Sequence, residues 1–153
     1  MTYTVNPGLY AANNPDSDSP VLVSANYKLS FDSLRSHLNN RPAWILVLDT
    51  FGVNVWCAAG KGTFGTSELV KRIKDVGLSN VVSHKTIILP QLGAPGVSAF
   101  KVKELTGFRA VYGPVRSNDI NEYIDAGMRQ IETRRIVITV FITNPFKFND
   151  RYV

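Results

Sequence analysis

The chain has 153 residues, which is enough for one domain with a substantial core, and its 44% hydrophobic and 19% charged residues are typical of a soluble globular protein. Seventeen Lys and Arg against 12 Asp and Glu give a net charge of +5. The basic residues are scattered, without a long basic run or interleaved aromatic residues, so we expect no nucleic-acid partner.

The first elements are two apolar strands separated by a helix. Val21 to Val23 predicts a buried strand, and Ser30 is in position to begin a helix that carries Phe31, Leu34 and Leu38 on one side. The run from Trp44 to Leu48 is the strongest strand signal in the chain. Because it is apolar without interruption, it is typical of a parallel sheet that is covered on both faces.

The middle of the chain continues the alternation of helix and strand. Apolar spacing predicts a helix that begins at Thr66 or Ser67 and ends at Gly77. Thr86 to Leu89 predicts a strand that Pro90 stops, and Ser98 to Thr106 predicts a helix that ends at Gly107.

The last predicted elements are a short strand from Ala110 to Tyr112, a helix from Ser117 to about Gly127, and a strand from Ile136 to Ile142. This alternation predicts an α/β domain with a mostly parallel sheet of about five strands and helices on both faces. We expect residues 1–20 to be an irregular lead-in, residues 21–143 to form the domain, and residues 144–153 to be a truncated linker.

In open α/β sheets, ligands bind at the carboxyl ends of the strands. This rule predicts ligand-binding residues after the strand at Trp44 to Leu48 and in three further groups. These groups are Ser24, Ala25 and Asn26; Gln91, Leu92, Gly93 and Ala94; and Tyr112, Gly113 and Pro114.

Cys57 is the single cysteine, and it also lies at this predicted edge, within NVWCAAGK. Its thiol has two interpretations: a small buried apolar group, or a soft thiolate that binds the metal of a cofactor. A cysteine–histidine nucleophile pair with His37 or His84 stays open, although both histidines have the character of surface residues. The glycine-rich GKGTFGT lacks the phosphate-loop pattern, since Val55 stands at the first glycine position and Gly62 follows the lysine.

Several stretches of this chain together resemble one known family. NVWCAAGK followed by GTFGT, together with SPVLVSANYKLSFDSLR, LPQLGAPGVSA and FRAVYGPVRSNDI, is similar to the soluble domain of the HgcA family, the corrinoid proteins of microbial mercury methylation. The SANYKLSFD part is shared with the wider corrinoid iron–sulfur proteins of the acetyl-CoA pathway. The similarity extends over essentially the whole chain.

This resemblance implies a Rossmann-like domain that binds cobalamin or a related corrinoid. It makes Cys57 the catalytic residue and the lower axial ligand of the cobalt, on a cap helix from about Asn54 to Lys61. The cofactor-binding residues that it implies in this region are Asn54, Val55, Trp56, Cys57, Ala58, Ala59, Gly60, Lys61, Gly62 and Thr63. We expect Ala58, Ala59 and Gly60 to form a small-residue surface for the flat ligand, and Val55 and Trp56 to anchor the other side of the helix in the core.

The function implied by the resemblance is corrinoid-dependent methyl transfer to mercury(II), a methyltransferase activity. The alternative is a corrinoid methyl-carrier module of the acetyl-CoA pathway type, whose members lack the cysteine at the cap position. A third possibility is a plain α/β binding domain with a buried cysteine and no corrinoid.

The resemblance also implies partners and a location. One cysteine cannot hold an iron–sulfur cluster, which usually takes four, so electrons must come from a partner, by resemblance a ferredoxin-like protein with two clusters. A methyltetrahydrofolate-linked methyl donor is implied as well. We expect the chain to lack the C-terminal membrane region that the resemblance implies, and we expect the domain to lie on the cytoplasmic side of the inner membrane in the full-length protein.

Overall fold

The computed structural model of this chain describes residues 3–128. The strands are β1 (Gly8–Ala12), β2 (Val21–Ala25), β3 (Ala43–Leu48), β4 (Thr86–Leu89) and β5 (Arg109–Tyr112). The helices are α1 (Lys28–His37), α2 (Val55–Lys61), α3 (Thr66–Asp75), α4 (Leu78–Val81), α5 (Ala99–Thr106) and α6 (Ile120–Asp125), with 3-10 turns at Gln91–Gly96 and Ser117–Asp119. The strand predicted at Ile136 to Ile142 and the linker after it lie outside the described residues.

The five strands form one sheet in the order β1-β3-β2-β4-β5. The pairs β2–β3, β2–β4 and β4–β5 are parallel, whereas β1 pairs with β3 antiparallel. The predicted α/β, Rossmann-like class with a mostly parallel sheet is therefore confirmed. After β3 the chain crosses over β2 to reach β4, so the direction of winding reverses between β2 and β4, which is the place where ligands bind in such sheets.

Helices cover both faces of the sheet, and the sheet separates the buried side chains into two core clusters. On the first face, α2, α3, α4 and α5 pack on the strands through fully buried side chains such as Phe64, Leu69 and Val102. On the second face, α1 and α6 pack through Phe31 and Ile120. Burial on both faces accounts for the uninterrupted apolar run of β3.

Local signals set several helix boundaries as the sequence predicts. The Ser98 hydroxyl accepts a hydrogen bond from the Lys101 backbone N–H (3.3 Å) at the start of α5, and Gly107 (φ 80°) ends that helix in the left-handed conformation. The predicted start of α1 at Ser30 is wrong. Tyr27 is the N-cap, and the Lys28 N–H donates to the carbonyl of Tyr3 (2.9 Å), so contact with the N-terminal segment begins the helix two residues earlier.

Residues 1–20, expected to be irregular, contain the edge strand β1. Leu9 pairs with Leu46, and the ring of Tyr10 packs edge-on against Phe31 at 5.1 Å. This pairing joins residues far apart in the chain, and GLYAA carries little strand signal of its own. None of the helices described in residues 3–128 is both long enough and apolar enough to cross a membrane.

Candidate functional site

A groove of about 640 Å³ opens at the carboxyl ends of β2 and β4, where the winding direction reverses. Leu22, Val23, Ile88 and Leu89 form its base, and most of its surface is apolar. Its volume lies within the range of about 300–1,000 Å³ that small-molecule sites occupy. The side chains of the groove come from α1, the start of α2 and the segment after β5, in addition to the strands.

Seven of the residues predicted to bind the cofactor line this groove: Ser24, Asn54, Val55, Trp56, Leu92, Gly113 and Pro114. The structure brings together residues that follow four different strands. The other predicted residues lie outside the lining, and their role in binding stays a prediction; they are Ala25, Asn26, Cys57, Ala58, Ala59, Gly60, Lys61, Gly62, Thr63, Gln91, Gly93, Ala94 and Tyr112.

The wall formed by α1 was not among the predicted site residues. Leu29, Ser30, Ser33 and Leu34 line the groove from this helix, and Ser117 lines it from the segment after β5. The sequence did carry a signal for them, because a helix that follows the first parallel strand begins at the same edge of the sheet. Serine and leucine are too common on helices for this signal to distinguish them from ordinary surface residues.

Polar contacts join α1 to the segment after β5 across one end of the groove. The hydroxyl oxygens of Ser33 and Ser117 are 2.8 Å apart, and the Ser117 hydroxyl is 3.0 Å from His37 Nδ1. The other histidine, His84, contacts the carbonyl of Ser19 through Nε2 at 2.7 Å. Both histidines therefore have structural partners, and among residues 3–128 no three potential ligands of the His, Cys, Asp and Glu type cluster as a metal site.

Helix α2 forms the wall opposite α1 and carries Cys57 in its first turn. The side chain of Asn54 caps the helix by accepting a hydrogen bond from the Cys57 backbone N–H at 3.0 Å. Gly62, at φ 83°, ends it in the left-handed conformation. Cys57 is half-buried and directly follows the three residues that line the groove. Cys57 thus follows the groove-lining residues in the chain, and the residue is partly accessible to solvent.

Val55 packs partly buried against the core of the first face, as expected from sequence, but the other residues of α2 do not follow the expectation. Ala58 and Ala59 are buried in the core of the first face, whereas the Trp56 side chain is 67% exposed and lines the groove. Small residues here let the short helix approach the sheet closely. Of the predicted small-residue surface only Gly60 is exposed, and Lys61 is exposed beside it.

The remaining predicted residues of this region support the helix. Thr63 donates from its hydroxyl to the carbonyl of Ala58 (3.3 Å). Gln91, Leu92 and Ala94 are half-buried in the 3-10 turn that packs against α2, and Gly93 is buried there. A side chain at Gly93 would overlap the ring of Phe64, so this glycine permits close packing.

Tyr112 and Ala25 also belong to the first-face core rather than to the groove lining. Ala25 is fully buried, and Tyr112 packs partly buried against the same cluster. Burial raises the pKa of the Tyr112 hydroxyl above its usual value near 10, so this group is protonated at neutral pH. It donates a long hydrogen bond to the carbonyl of Val97 (3.4 Å).

Asn26 is buried and holds the loop that leads from β3 to α2. Its side-chain oxygen accepts hydrogen bonds from the Thr50 N–H (3.0 Å), the Thr50 hydroxyl (2.9 Å) and the Gly52 N–H (2.9 Å). This single amide oxygen therefore fixes the path of the chain into the helix that carries Cys57.

We expect Asn26→Ala to lower the free energy of unfolding by about 2 kcal/mol, because it leaves buried donors of the Thr50–Gly52 loop without an acceptor. Urea denaturation followed by circular dichroism measures this loss. Asn80→Ala, at an exposed position in α4, is the control and should not lower stability by more than about 0.5 kcal/mol. Equal stability of the two variants would contradict the role of Asn26.

Comparison with known proteins identifies the relatives of this domain. Residues 2–124 match the model of the CO dehydrogenase/acetyl-CoA synthase delta subunit family. The acetyl-CoA decarbonylase/synthase complex subunit gamma of Methanocaldococcus jannaschii is 33% identical over 122 residues, which is 78% of this chain and 25% of that protein. The corresponding subunit of Methanopyrus kandleri is 32% identical over 132 residues, 84% of this chain and 28% of that protein.

A third relative is named for its cofactors. The corrinoid/iron-sulfur protein large subunit of Moorella thermoacetica is 30% identical over 115 residues, 74% of this chain and 25% of that protein. The chain thus spans about a quarter of the length of these relatives. The family match includes β1 to β5, the groove and the segment that carries Cys57. The chain belongs to the CO dehydrogenase/acetyl-CoA synthase delta subunit family.

Proposed function

We propose that this chain is a corrinoid-binding domain that carries methyl groups on cobalt for partner proteins. The observation that carries the proposal is the apolar groove at the point of reversed winding, with a cysteine-bearing helix as its wall. The name of the Moorella relative, a corrinoid/iron-sulfur protein, supports this choice of cofactor.

The residues of the site fit a corrinoid in two respects. Cys57 offers a sulfur atom, which suits a soft or borderline metal, and its helix start is fixed by Asn54. Cys57 would hold the cobalt through its sulfur, and the nucleotide base of a cobalamin would then need a site of its own. The adjacent groove is large and apolar enough for such a planar base.

Each part of the site has a task in this proposal. The corrinoid, when bound, would supply a cobalt that accepts and gives up a methyl group. Cys57 provides the sulfur ligand, and Asn26 and Asn54 hold its helix in place. The exposed indole of Trp56 and the side chain of Leu29 shield the mouth of the groove from water.

We propose that electrons and methyl groups come from partners. Cobalt has to be reduced before it accepts a methyl group, and a chain with one cysteine cannot hold an iron–sulfur cluster. We therefore propose a ferredoxin-like donor with two iron–sulfur clusters and a methyltetrahydrofolate-linked methyl donor. The relatives are named as subunits of a complex or as a corrinoid/iron-sulfur protein, which supports partners of this kind.

Two methyl acceptors are compatible with this site. The relatives favour a carrier that delivers the methyl group to a partner enzyme of the acetyl-CoA pathway. The half-buried thiol of Cys57 favours mercury(II) as a second candidate. A thiolate ligand donates electron density and so favours release of the methyl group in a carbanion-like form, which a soft electrophile such as mercury(II) accepts.

Anaerobic reconstitution with hydroxocobalamin tests the binding proposal. We expect the wild-type chain to bind and to show the visible spectrum of thiolate-ligated cobalt(III), and Cys57→Ala to lose that spectrum. Lys74→Ala, an exposed change on α3, should retain it. Failure of the folded wild-type chain to bind would contradict the proposal, and identical spectra for wild type and Cys57→Ala would remove Cys57 as the ligand.

A single-turnover assay separates the two acceptors. The reconstituted protein is loaded with a methyl group and then mixed with mercury(II), and methylmercury is measured. Formation of methylmercury by the wild type but not by Cys57→Ala would support mercury(II) as acceptor. Retention of the methyl group on the protein would leave the carrier function as the better account.

A further inference from the structure

One end of the main groove carries a pair of hydroxyl groups, although the strands make its base apolar. Ser33 lines this end from α1, and Ser117 lines it from the segment after β5. The two oxygens are 2.8 Å apart, so one hydroxyl donates a hydrogen bond to the other. Two residues that are 84 positions apart in the chain thus form a polar unit in the lining, the serine pair.

His37 determines how the hydrogens of the serine pair are distributed. Its Nδ1 lies 2.8 Å from the carbonyl oxygen of Ser33, and a carbonyl oxygen only accepts hydrogen bonds, so Nδ1 carries a hydrogen. The same Nδ1 lies 3.0 Å from the Ser117 hydroxyl and 3.3 Å from the Ser33 hydroxyl. Because a ring nitrogen that carries a hydrogen cannot accept another, neither hydroxyl donates to His37.

The serine pair therefore keeps one hydrogen to donate to another group. Each hydroxyl has a single hydrogen, one of the two lies between the oxygens, and His37 accepts neither. In the part of the chain that the structure describes, the two hydroxyls make no hydrogen bonds beyond these. A ligand in the groove that presents an acceptor can take the remaining hydrogen.

The other hydroxyls of the groove lining are less suited to this task. The Ser24 hydroxyl donates to the carbonyl of Ala25 at 2.9 Å, so its hydrogen is already used. The Ser30 hydroxyl makes no hydrogen bond to the described residues, and it is free to rotate. In the serine pair both oxygens are held by their contacts, so the remaining hydrogen is oriented before a ligand arrives, which lowers the entropic cost of binding.

The proposed function supplies a matching acceptor. The nucleotide of a cobalamin ends in a benzimidazole, and one nitrogen of this ring has a lone pair that is free when the Cys57 sulfur holds the cobalt. A free acceptor placed in an apolar groove without a donor loses the hydrogen bond that it made with water, and this loss weakens binding. A donor in the groove removes that penalty.

We propose that the serine pair donates its remaining hydrogen to a ring nitrogen of the nucleotide base, and so selects corrinoids whose base is a nitrogen heterocycle. This inference rests on the proposed corrinoid-binding function and adds which corrinoids the domain prefers. The N–H of His37 strengthens the donor, because a hydroxyl that accepts a hydrogen bond becomes a better donor itself. A phenol-derived base occupies similar apolar space but offers no ring nitrogen, so the hydrogen of the serine pair stays unused.

Equilibrium titration with three corrinoids tests this selection. They are hydroxocobalamin, the corresponding corrinoid with a cresol-derived ring in place of the benzimidazole, and cobinamide, which has no nucleotide. We expect the wild-type chain to bind hydroxocobalamin about tenfold more tightly than the cresol form. The double variant Ser33→Ala with Ser117→Ala should lose this preference, while its affinity for cobinamide stays within about twofold of wild type.

Ser67→Ala removes a hydroxyl from an exposed position on α3 and is the control, which should keep the preference. Equal wild-type affinities for hydroxocobalamin and the cresol form would overturn the proposal. A preference that the double variant retains would also overturn it, and so would an equal loss of affinity for all three corrinoids, which indicates a structural role. Failure of the folded wild type to bind any corrinoid would contradict the proposed function itself.

Discussion

Replacing Gly96 with alanine is expected to lower the free energy of unfolding by about 2–4 kcal/mol, because a Cβ at this position would overlap the carbonyl oxygen of Phe64. The Cα of Ala59 in α2 would lie 3.4 Å from that Cβ. Since the Phe64 oxygen and the Ala59 Cα are both backbone atoms, neither can move without displacing the backbone. Gly96 therefore allows the 3-10 turn at Gln91–Gly96 to pack closely against the helix that carries Cys57.

Urea denaturation of Gly96→Ala and Gly60→Ala makes the comparison directly. A Cβ at Gly60 meets no atom within 4 Å, and the position is helical and exposed, so Gly60→Ala should raise stability by about 0.5–1 kcal/mol. Opposite signs for the two substitutions are the expected result. Similar effects would mean that α2 tolerates displacement and that its contact with the turn does not set the site geometry.

Filling the main groove is expected to lower the affinity for hydroxocobalamin at least tenfold while leaving the fold intact. Ser30 is half-buried on α1 and lines the groove, so an indole at this position would occupy space that the proposed nucleotide base requires. Ser30→Trp leaves Cys57 and the whole of α2 unchanged. A loss of affinity would therefore report on the groove rather than on the thiol.

The matched control is Ser36→Trp, which adds the same side chain to an exposed position on the same helix. Equilibrium titration with hydroxocobalamin, followed by absorbance, measures both variants. We expect the affinity of Ser36→Trp to stay within about twofold of wild type. Equal affinities for Ser30→Trp and Ser36→Trp would show that the corrinoid does not enter the groove.

The parts of the fold that local sequence determines were predictable. The uninterrupted apolar run of β3 and the proline after β4 predict two strands close to where they lie. Ser98 and Gly107 delimit α5 by a side-chain hydrogen bond and a left-handed residue, and both signals act within one turn of the helix. Such features depend on neighbours in the chain and can be recognised without the tertiary structure.

Features that depend on distant contacts were not predictable. β1 exists because it pairs with β3, and α1 begins at Lys28 because its N–H finds the carbonyl of Tyr3. The predicted helix at Ser117 begins instead as a 3-10 turn, since the Ser117 hydroxyl contacts Ser33 and His37 rather than its own helix. In each case the deciding partner is remote in sequence.

The same distinction applies to the candidate site. The strand-end rule located the edge and seven lining residues, but it could not distinguish ligand-facing side chains from supporting ones. Asn26, predicted to bind the cofactor, has a side-chain oxygen fully used by the loop before α2. Trp56 was expected in the core and is exposed, whereas Ala58 was expected at the ligand and is buried in the core. A helix of seven residues is too short for its apolar spacing to predict which side faces the core.

The comparisons with known proteins indicate a broader family than the NVWCAAGK motif did. They place the chain among relatives named for the acetyl-CoA complex and for a corrinoid/iron-sulfur protein, whereas the resemblance of NVWCAAGK suggested mercury methylation. Both proposed functions use a corrinoid, and they differ in the acceptor of the methyl group. The cobalt ligand is therefore the point on which the whole account depends.

Cobalt K-edge X-ray absorption of the protein reconstituted with hydroxocobalamin measures that ligand directly. The account predicts one sulfur scatterer in the first shell of the cobalt for the wild type and for Lys74→Ala, and its absence in Cys57→Ala. A first shell of nitrogen and oxygen alone in the wild type, with corrinoid bound, would contradict the assignment of Cys57 as the axial ligand.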